Sequence, residues 1–582
     1  MAHSAYRIVV VLHAIALVVG TGTTDGADRS TFAVSMPADA SGHVIAGDVL
    51  FADAKTSDPS WHAYVELWRA HAEDPSAPSI RRFLGLPLSG KVEGKISPGR
   101  SAPAFLRFAR GSYQQMETPH FQIMTRASPQ QTGRVAEDLE QCYWVWTQMF
   151  FPLWEDSVQV ASAFSQWSPD EDVAEFLAAR TNRLRPRRKM RVVLLRDANE
   201  YVRALADRFP GIQRSTGFYD DANRTMFLYA GAENPLGQRS IADTAAIRDA
   251  EATRRHELTH QLFREATPQP RRRSFTAAAD RFPGEESGFW LIEGIAGYFE
   301  SMVLTDRVAT LGGWDASRLQ YSRFRTLVGG DFMPLSELRP EGRVAAQQRA
   351  DLARWYAHAI ALTHLLVDGD RDPGDRRWVF NQLARLYAID LPFADSPAPE
   401  PTAAEMRAFL SVSDVDLLEN PAIQPLARLC LAGCEVTEEG LRSIPPQTTL
   451  DWLDLSRIPV TSDEVKRLVA DPGSLAQISL EATSVDDGIA AWIARAKMLR
   501  ELDLSFTYAG DLVVNVLRDK HQLDTLWLTG TQVSDAAMPV IESLEALEAV
   551  DLQRTKVTES AATRFQLARP KVKWNPLELR GE

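Results

Sequence analysis

The chain has 582 residues, which is long enough for two or three domains with their own hydrophobic cores. Its formal net charge of −13 argues against a general nucleic-acid binder, because such proteins need a basic surface to meet the phosphates. Its cysteines are Cys142, Cys430 and Cys434, which is too few for a disulfide framework, so hydrophobic packing must stabilise the fold.

The N-terminus has the pattern of a secretory signal peptide, which we assign to residues 1–24. Arg7 precedes an apolar run from Ile8 to Val19, and small residues follow from Gly20 to Thr24. The run is too short for a stable membrane span, and no later segment is a candidate for one. No cysteine stands among the residues directly after the run, so we expect no lipid anchor. The sequence therefore predicts an exported protein, either periplasmic or extracellular.

Residues 25–116 read as an N-terminal region that is partly loose. Its first part is polar and rich in small residues, whereas Trp61–Ala72 has the pattern of a short amphipathic helix. The stretch Gly85–Pro103 is rich in glycine and proline and is predicted to be a loop.

Strands and helices are predicted to follow from residue 117. Pro119–Thr125 and Met190–Leu195 have the apolar pattern of strands. Ser128 and Asp197 stand where each would cap the helix that follows. Further on, two short β-rich runs, at residues 217–219 and 225–229, flank a polar turn and predict a hairpin.

Residues 256–260 read His-Glu-Leu-Thr-His, a full match to the H-E-x-x-H pattern of zinc peptidases. With eleven histidines in the chain, composition alone produces such a pentapeptide about one time in a hundred. No glycine or proline interrupts residues 241–267, which favours a helix. Positions i and i+4 share one face of a helix, so His256 and His260 can bind one metal ion, with Glu257 beside them to handle a proton.

Glu293 is the candidate for a third metal ligand. It lies in Phe289–Glu300, a mostly apolar segment that predicts a helix buried nearly all round. A buried carboxylate costs several kcal/mol unless it is paired or bound to a metal, so a surface role for Glu293 is disfavoured. A catalytic zinc ion usually takes three protein ligands and one water, which a His-His-Glu set would satisfy.

The H-E-x-x-H stretch, followed by W-x-x-E-G-x-A-x-Y-x-E from Trp290, resembles the gluzincin metallopeptidases of the peptidase MA-like clan. More narrowly, it resembles a poorly characterised bacterial branch of that clan, known as a domain of unknown function. The likeness runs over roughly residues 118–419, and we assign the domain to residues 117–420. It implies an α+β fold, one zinc ion per chain held by His256, His260 and Glu293, and Glu257 as the general base.

The resemblance also raises three points about neighbouring residues. Gluzincins often take an oxyanion donor from a later helix, for which Tyr356 is the first candidate and His358 the second. Thermolysin-like relatives have an aspartate four residues after the glutamate ligand, where this chain has Gly297. Glu300 lies on the same helix face as Glu293 and could support a ligand instead, or could be a surface residue.

By the same resemblance, Met226–Tyr229 is the candidate strand for pairing with substrate, or else an ordinary buried strand.

From residue 426 the sequence repeats with a spacing of 24 or 25 residues. The first copy is Leu426-x-x-Leu429-x-Leu431, and the others begin at Leu450, Leu475, Leu499, Leu523 and Leu547. These six copies resemble leucine-rich repeats that carry a helix on the convex side, which implies an α/β solenoid over residues 425–575. The helices would be capped by Thr437, Thr461, Ser534 and Thr558. Cys430 and Cys434 lie in this part and are expected to pack in its core.

These features together predict an exported zinc metallopeptidase that hydrolyses peptide bonds in a peptide or protein substrate. The repeats would bind that substrate or a protein partner, or would act as a structural cap on the peptidase. The alternative is a non-catalytic extracytoplasmic binding or scaffold protein that retains a zinc-peptidase fold. A third possibility is an amidase that acts on a non-peptide amide.

Overall fold

The computed structural model of the chain describes residues 32–37, 44–45, 58–86, 91–99, 102–109, 111–186, 188–230, 241–268, 282–304, 308–369, 372–391, 396–420 and 426–575. The predicted signal peptide lies outside these residues. The described chain is a mixture of helices and strands, which agrees with the predicted α+β class. None of the helices in this part of the chain combines the length and apolar character needed to cross a bilayer.

The part before residue 420 contains both long helices and short strands. Its strands and α-helices are β1 (Phe32–Pro37), β2 (Val44–Ile45), α1 (Pro59–Glu73), α2 (Pro78–Leu84), β3 (Lys91–Pro98), β4 (Gln114–Glu117), β5 (Phe121–Thr125), α3 (Pro129–Met149), α4 (Ser157–Ala163), α5 (Val173–Ala178), β6 (Met190–Leu195), α6 (Ala198–Leu205), β7 (Gly217–Asp220), β8 (Thr225–Tyr229), α7 (Ile241–Glu265), α8 (Phe289–Glu300), β9 (Val303–Leu304), β10 (Val308–Thr310), α9 (Ser317–Arg323), α10 (Leu335–Leu338), α11 (Arg343–Gln347), α12 (Leu352–Asp368), α13 (Pro373–Leu386), α14 (Ala403–Leu410) and α15 (Asp414–Glu419). A π-helical turn, Phe324–Val328, follows α9 directly.

The part after residue 426 alternates strand and helix. Its elements are β11 (Arg428–Cys430), α16 (Glu438–Ser443), β12 (Trp452–Asp454), α17 (Ser462–Leu468), β13 (Gln477–Ser479), α18 (Ala490–Arg495), β14 (Glu501–Asp503), α19 (Asp511–Asn515), β15 (Thr525–Trp527), α20 (Met538–Ser543), β16 (Ala549–Asp551), α21 (Glu559–Ala568) and β17 (Lys573–Trp574). We call residues 426–575 the C-terminal array.

Seven strands of the first part form one mixed sheet in the order β1-β3-β4-β5-β6-β8-β7. The strands β5, β6 and β8 run parallel, and the other neighbours are antiparallel. The predicted hairpin is confirmed as β7 and β8. Met226–Tyr229, the candidate strand for pairing with substrate, is instead an ordinary buried strand, because β8 pairs with β6 on one side and β7 on the other. Among the described strands, β7 lies at this end of the sheet and β1 lies at the other end.

Local capping signals in the sequence are confirmed where they open helices. Ser128 and Gln131 form a reciprocal capping box at the start of α3, and Pro129 occupies the first helical position. The Asp197 side chain accepts a hydrogen bond of 2.8 Å from the backbone N–H of Glu200 at the start of α6. These caps satisfy backbone donors that have no partner inside the helix.

The helix predicted near Trp61 belongs to the main hydrophobic core and is not a separate N-terminal element. Trp61, Tyr64 and Trp68 of α1 are buried, and the Tyr64 ring lies 5.3 Å from that of Phe151. The same core continues through α3, α7, α8 and α12. The apolar stripes of these helices therefore pack in one continuous core, which holds α7 and α8 in a fixed relation to each other.

The C-terminal array is a seven-stranded parallel sheet whose strands follow in chain order from β11 to β17. Leu429, Leu453 and Ile478 occupy matching positions of neighbouring strands and are buried, so each strand closes the core of the previous one. The four predicted hydroxyl caps all accept a backbone hydrogen bond. Cys430 and Cys434 are buried as expected. The strand β17 was not predicted, because its segment lacks the leucine spacing.

The array is joined to the first part through α9. The Arg323 guanidinium is buried and donates hydrogen bonds to the backbone carbonyls of Trp314, Leu410 and Cys430. The Gln320 side chain accepts from the N–H of Cys430 at 2.6 Å. Because these buried groups satisfy one another across the boundary, separating the two parts would leave charged and polar atoms without partners.

Candidate metal centre

The helix α7 places its two histidines on one face. Leu258 and Leu262 are fully buried and turn one side of the helix into the core. His256 and His260 lie one turn apart, with ring centroids separated by 4.9 Å, and each side chain keeps 15–18% of its surface exposed. The apolar pattern of α7 therefore anchors the helix and leaves both imidazoles at the edge of the core, facing α8.

Glu293 reaches the two imidazoles from α8. Its carboxylate oxygens lie 3.3 Å from His256 Nε2 and 3.7 Å from His260 Nε2. Potential ligand atoms of the three residues lie within 4.8 Å of one another, so the group could hold a metal ion. Two ligand atoms at about 2.1 Å from a tetrahedral ion are roughly 3.4 Å apart, so the observed separations fit a single small cation.

The charges of the three residues also fit a cation. Glu293 is buried, and its carboxylate interacts with the two imidazoles and with Tyr356. Although burial lowers the pKa of His256, hydrogen bonds with Glu293 and Glu300 raise it to about 10. Burial lowers the pKa of His260 to about 4, which keeps that ring neutral and its nitrogen available as a ligand. The negative charges of Glu293 and Glu300 therefore favour a cation at the point where His256, His260 and Glu293 meet.

Glu257 is held beside this group by the edge strand. Its Oε2 accepts a hydrogen bond of 2.8 Å from the backbone N–H of Tyr219 in β7. Burial raises the pKa of its carboxyl. A Cβ atom on Gly217 would come within 2.9 Å of Thr253 and 3.3 Å of Glu257, so only glycine allows α7 to approach the strand this closely. The edge strand thereby fixes one oxygen of Glu257.

Glu300 supports His256 from the end of the same helix that carries Glu293. Its Oε1 lies 2.8 Å from His256 Nδ1, and Arg318 of α9 donates to both of its oxygens, at 2.7 and 3.1 Å. The Arg318 charge and the His256 hydrogen bond outweigh burial and lower the pKa of Glu300 to about 2. An anionic Glu300 orients the ring so that Nδ1–H donates to it and Nε2 faces Glu293.

Gly297, where the thermolysin-like metallopeptidases have an aspartate, lies in close contact with α12. A Cβ atom at this position would come 2.5 Å from the Ile360 side chain of α12, because the two helices are in close contact. Gly294 is equally tight, since its Cβ would lie 2.0 Å from Thr363 Oγ1. The close packing of α8 on α12 therefore excludes a carboxylate at residue 297, and Glu300 occupies the position behind His256 instead.

The two candidate oxyanion donors point in different directions from α12. The Tyr356 hydroxyl hydrogen-bonds Glu293, so it lies beside the candidate metal-ligand group. His358 is fully buried, and its Nε2 lies 3.2 Å from Asp331, on another side of the helix. His358 is therefore removed as a candidate, because residues two apart on a helix do not share a face.

Two groups of this site were not predicted from the sequence. Arg318 belongs to a helix without a recognisable motif, and the Tyr219 N–H is a backbone group that no side-chain pattern reveals.

No protein-family model matches the chain, and no curated protein matches it either.

Proposed function

We propose that the chain is a zinc-dependent hydrolase of the gluzincin type that cleaves peptide bonds. The observation that carries this proposal is the convergence of His256, His260 and Glu293, with Glu257 beside them but bonded to the edge strand. A purely structural zinc site is closed by four protein ligands and has no use for an adjacent general base. The arrangement of three ligands and one carboxylate supports catalysis over a structural role.

A zinc ion held by His256, His260 and Glu293 would supply Lewis acidity, which activates water near neutral pH and polarises the scissile carbonyl. Glu257 would accept the proton of the attacking water at Oε1, since Tyr219 occupies Oε2. As the carbon–nitrogen bond breaks, the same carboxyl would pass this proton to the leaving amine. The Tyr356 hydroxyl would donate a hydrogen bond to the oxyanion.

We infer that β7, and not β8, is the strand that pairs with substrate. Because the Tyr219 N–H reaches Glu257, it points away from β8 and towards the free edge of the described sheet. An extended peptide added at this edge would gain backbone hydrogen bonds and would pass directly in front of Glu257. This mode of binding depends on the peptide backbone and requires no particular side chain.

We further propose that the C-terminal array is a leucine-rich-repeat domain that binds the substrate or a partner protein. Its unbroken parallel register supports this, because the positions between the buried leucines form one continuous surface. If the chain does not hydrolyse peptides, the same surface supports the alternative function of an exported binding or scaffold protein. Export itself remains a prediction from residues 1–24.

The test uses purified full-length protein, elemental analysis and cleavage profiling on a peptide library by mass spectrometry. We expect about one zinc per chain and cleavage that Glu257→Gln abolishes without loss of zinc. Glu251→Gln is the matched control, because Glu251 lies on the same helix but is not part of the ligand group. Protein that takes up no metal, or full activity in Glu257→Gln, would overturn the proposal.

A further inference from the structure

A cavity of about 720 Å³ lies between the C-terminal array and the turn that follows α9. One wall is formed by β12 to β15, and the other by residues 321–331 together with Arg354. Its volume is in the range of pockets that hold ligands. The metal-ligand residues do not line it, although Arg354 lies on α12 only two residues before Tyr356. We call this space the junction cavity.

Matching positions of four neighbouring strands form the floor of the junction cavity. Asp454, Ser479, Asp503 and Trp527 follow one another in register, and Trp452, Gln477 and Glu501 form the parallel row two residues earlier. The ends of this floor are therefore aromatic, with Trp452 on β12 and Trp527 on β15. Strands are about 4.8 Å apart, so the floor is about 14 Å wide, the length of roughly four extended residues.

Two carboxyl groups of the floor are bonded only to neutral donors. Asp454 is 1% exposed and accepts a hydrogen bond of 3.0 Å from the backbone N–H of Ser456. Glu501 accepts from the Gln477 side chain at 3.1 Å and from Trp527. Burial raises the pKa of both carboxyls, and the nearby Asp503 and Glu481 raise that of Asp454 further, to about 7. A cation bound beside these two carboxyls would offset the free-energy cost of burying their negative charge.

The arginines of the junction cavity are engaged by other carboxylates. Arg325 and Arg354 both donate to Asp331, at distances between 2.9 and 3.2 Å. Arg457 lies 3.6 Å from Glu481 and donates to the backbone carbonyl of Val328. These pairs satisfy the cationic groups of the cavity. The carboxyls of Asp454 and Glu501 do not contact them.

We propose that the junction cavity binds a lysine or arginine side chain of an extended basic peptide. The cation would lie against the Trp452 ring and approach Asp454 on the same strand, which combines cation–π and charge-assisted contacts. A second basic side chain of the same peptide would meet Trp527 and Glu501 at the other end of the floor. The width of the floor favours a peptide segment over a small free amine. This inference deepens the binding role proposed for the C-terminal array, and it holds whether or not the chain hydrolyses peptides.

The experiment measures binding of a fluorescein-labelled octapeptide of alternating lysine and serine by fluorescence anisotropy. The protein is full-length Glu257→Gln, so the peptide stays intact and failure of the hydrolase proposal does not affect the result. The comparison peptide carries acetyl-lysine, which keeps the length and removes the charge. Asp454→Asn tests whether the carboxyl of the cavity contributes to peptide binding. The amide oxygen of asparagine can still accept the hydrogen bond from the Ser456 backbone N–H, so the local backbone turn is preserved.

Asp551→Asn is the matched control. Asp551 occupies the same position in β16 and accepts from the Gln553 N–H at 2.9 Å, but it does not line the cavity. We expect Asp454→Asn and the acetylated peptide each to weaken binding about tenfold or more, and Asp551→Asn to have little effect. Equal loss in both variants, equal binding of the two peptides, or equal affinity for free spermidine would overturn the proposal.

Discussion

Glu300 hydrogen-bonds His256 from two turns beyond Glu293, on the same helix. One rigid helix therefore presents both a carboxylate of the candidate metal-ligand group and a carboxylate that orients the His256 ring of that group. Arg318 completes the chain of contacts by donating to Glu300 at 2.7 Å. Because the helix is buried along its length, the distance between the two carboxylates does not depend on a flexible loop.

We predict that replacing Glu300 weakens zinc binding in a graded way. Glu300→Gln keeps an acceptor for His256 Nδ1–H but loses the charge, whereas Glu300→Ala loses both. Residues that orient a ligating histidine typically contribute 10–100-fold to metal affinity, so Glu300→Ala should lose about that much and Glu300→Gln less. Competition with a chromophoric chelator measures this. Unchanged affinity in Glu300→Ala would show that Glu300 has only a structural role.

Tyr356→Phe should lower kcat while zinc content and KM change little. The hydroxyl is expected to act only when negative charge develops on the substrate, and loss of one oxyanion donor typically costs about 10²–10³ in kcat. Steady-state kinetics on a library-derived peptide gives both constants. The companion variant is His358→Asn, which should leave kcat unchanged because His358 faces Asp331. An equal effect of both variants would contradict the assignment.

Gly297→Ala is expected to destabilise the protein even though alanine favours helix. The new methyl group would come 2.5 Å from Ile360, and overpacking of this kind costs about 1–3 kcal/mol. Without the clash, alanine would stabilise the helix by roughly 0.5–1 kcal/mol. Urea denaturation of Gly297→Ala, Ile360→Ala and the double variant measures the coupling, which should be favourable. Additive effects would mean that α8 and α12 are not in close contact.

Asp454→Asn should raise the melting temperature at pH 8 but not at pH 4. Burial raises the pKa of Asp454 from an ordinary value of 3.8 to about 7, so the unfolded chain ionises first as the pH rises. The free energy of unfolding therefore falls between about pH 4 and pH 7, by roughly 2–4 kcal/mol at most. Asparagine carries no such penalty. Scanning calorimetry at both pH values checks this, and equal melting temperatures of the two proteins at pH 8 would refute it.

Much of the local structure could be predicted because its causes are local. The spacing of His256 and His260, the unbroken helix around them and the apolar surroundings of Glu293 placed three side chains on two helices. Hydroxyl caps such as Thr461 and Ser534 were found for the same reason, since the capped N–H lies two or three residues further on. The 24-residue leucine spacing likewise predicted the positions of six parallel strands.

Sheet order could not be predicted in this way. The hairpin of β7 and β8 was evident, but which strand lies at the edge depends on whether β6 pairs with β8, and that pairing joins residues about 34 positions apart. The contact of Arg318 with Glu300 depends on how two helices pack. Such contacts leave no trace in the periodicity of one segment.

The sequence by itself predicted the helices that carry His256, His260 and Glu293, the hairpin of β7 and β8, the residues with the chemistry of metal ligands, and where the repeats begin. These properties arise from backbone preferences and from side-chain spacing along one element. Only the tertiary structure decided that Glu300 and not residue 297 supports His256, that β7 holds Glu257, and that the C-terminal array encloses a cavity against α9 and α12. These outcomes depend on the closeness of packed elements, which is set by the volumes of residues far apart in the chain.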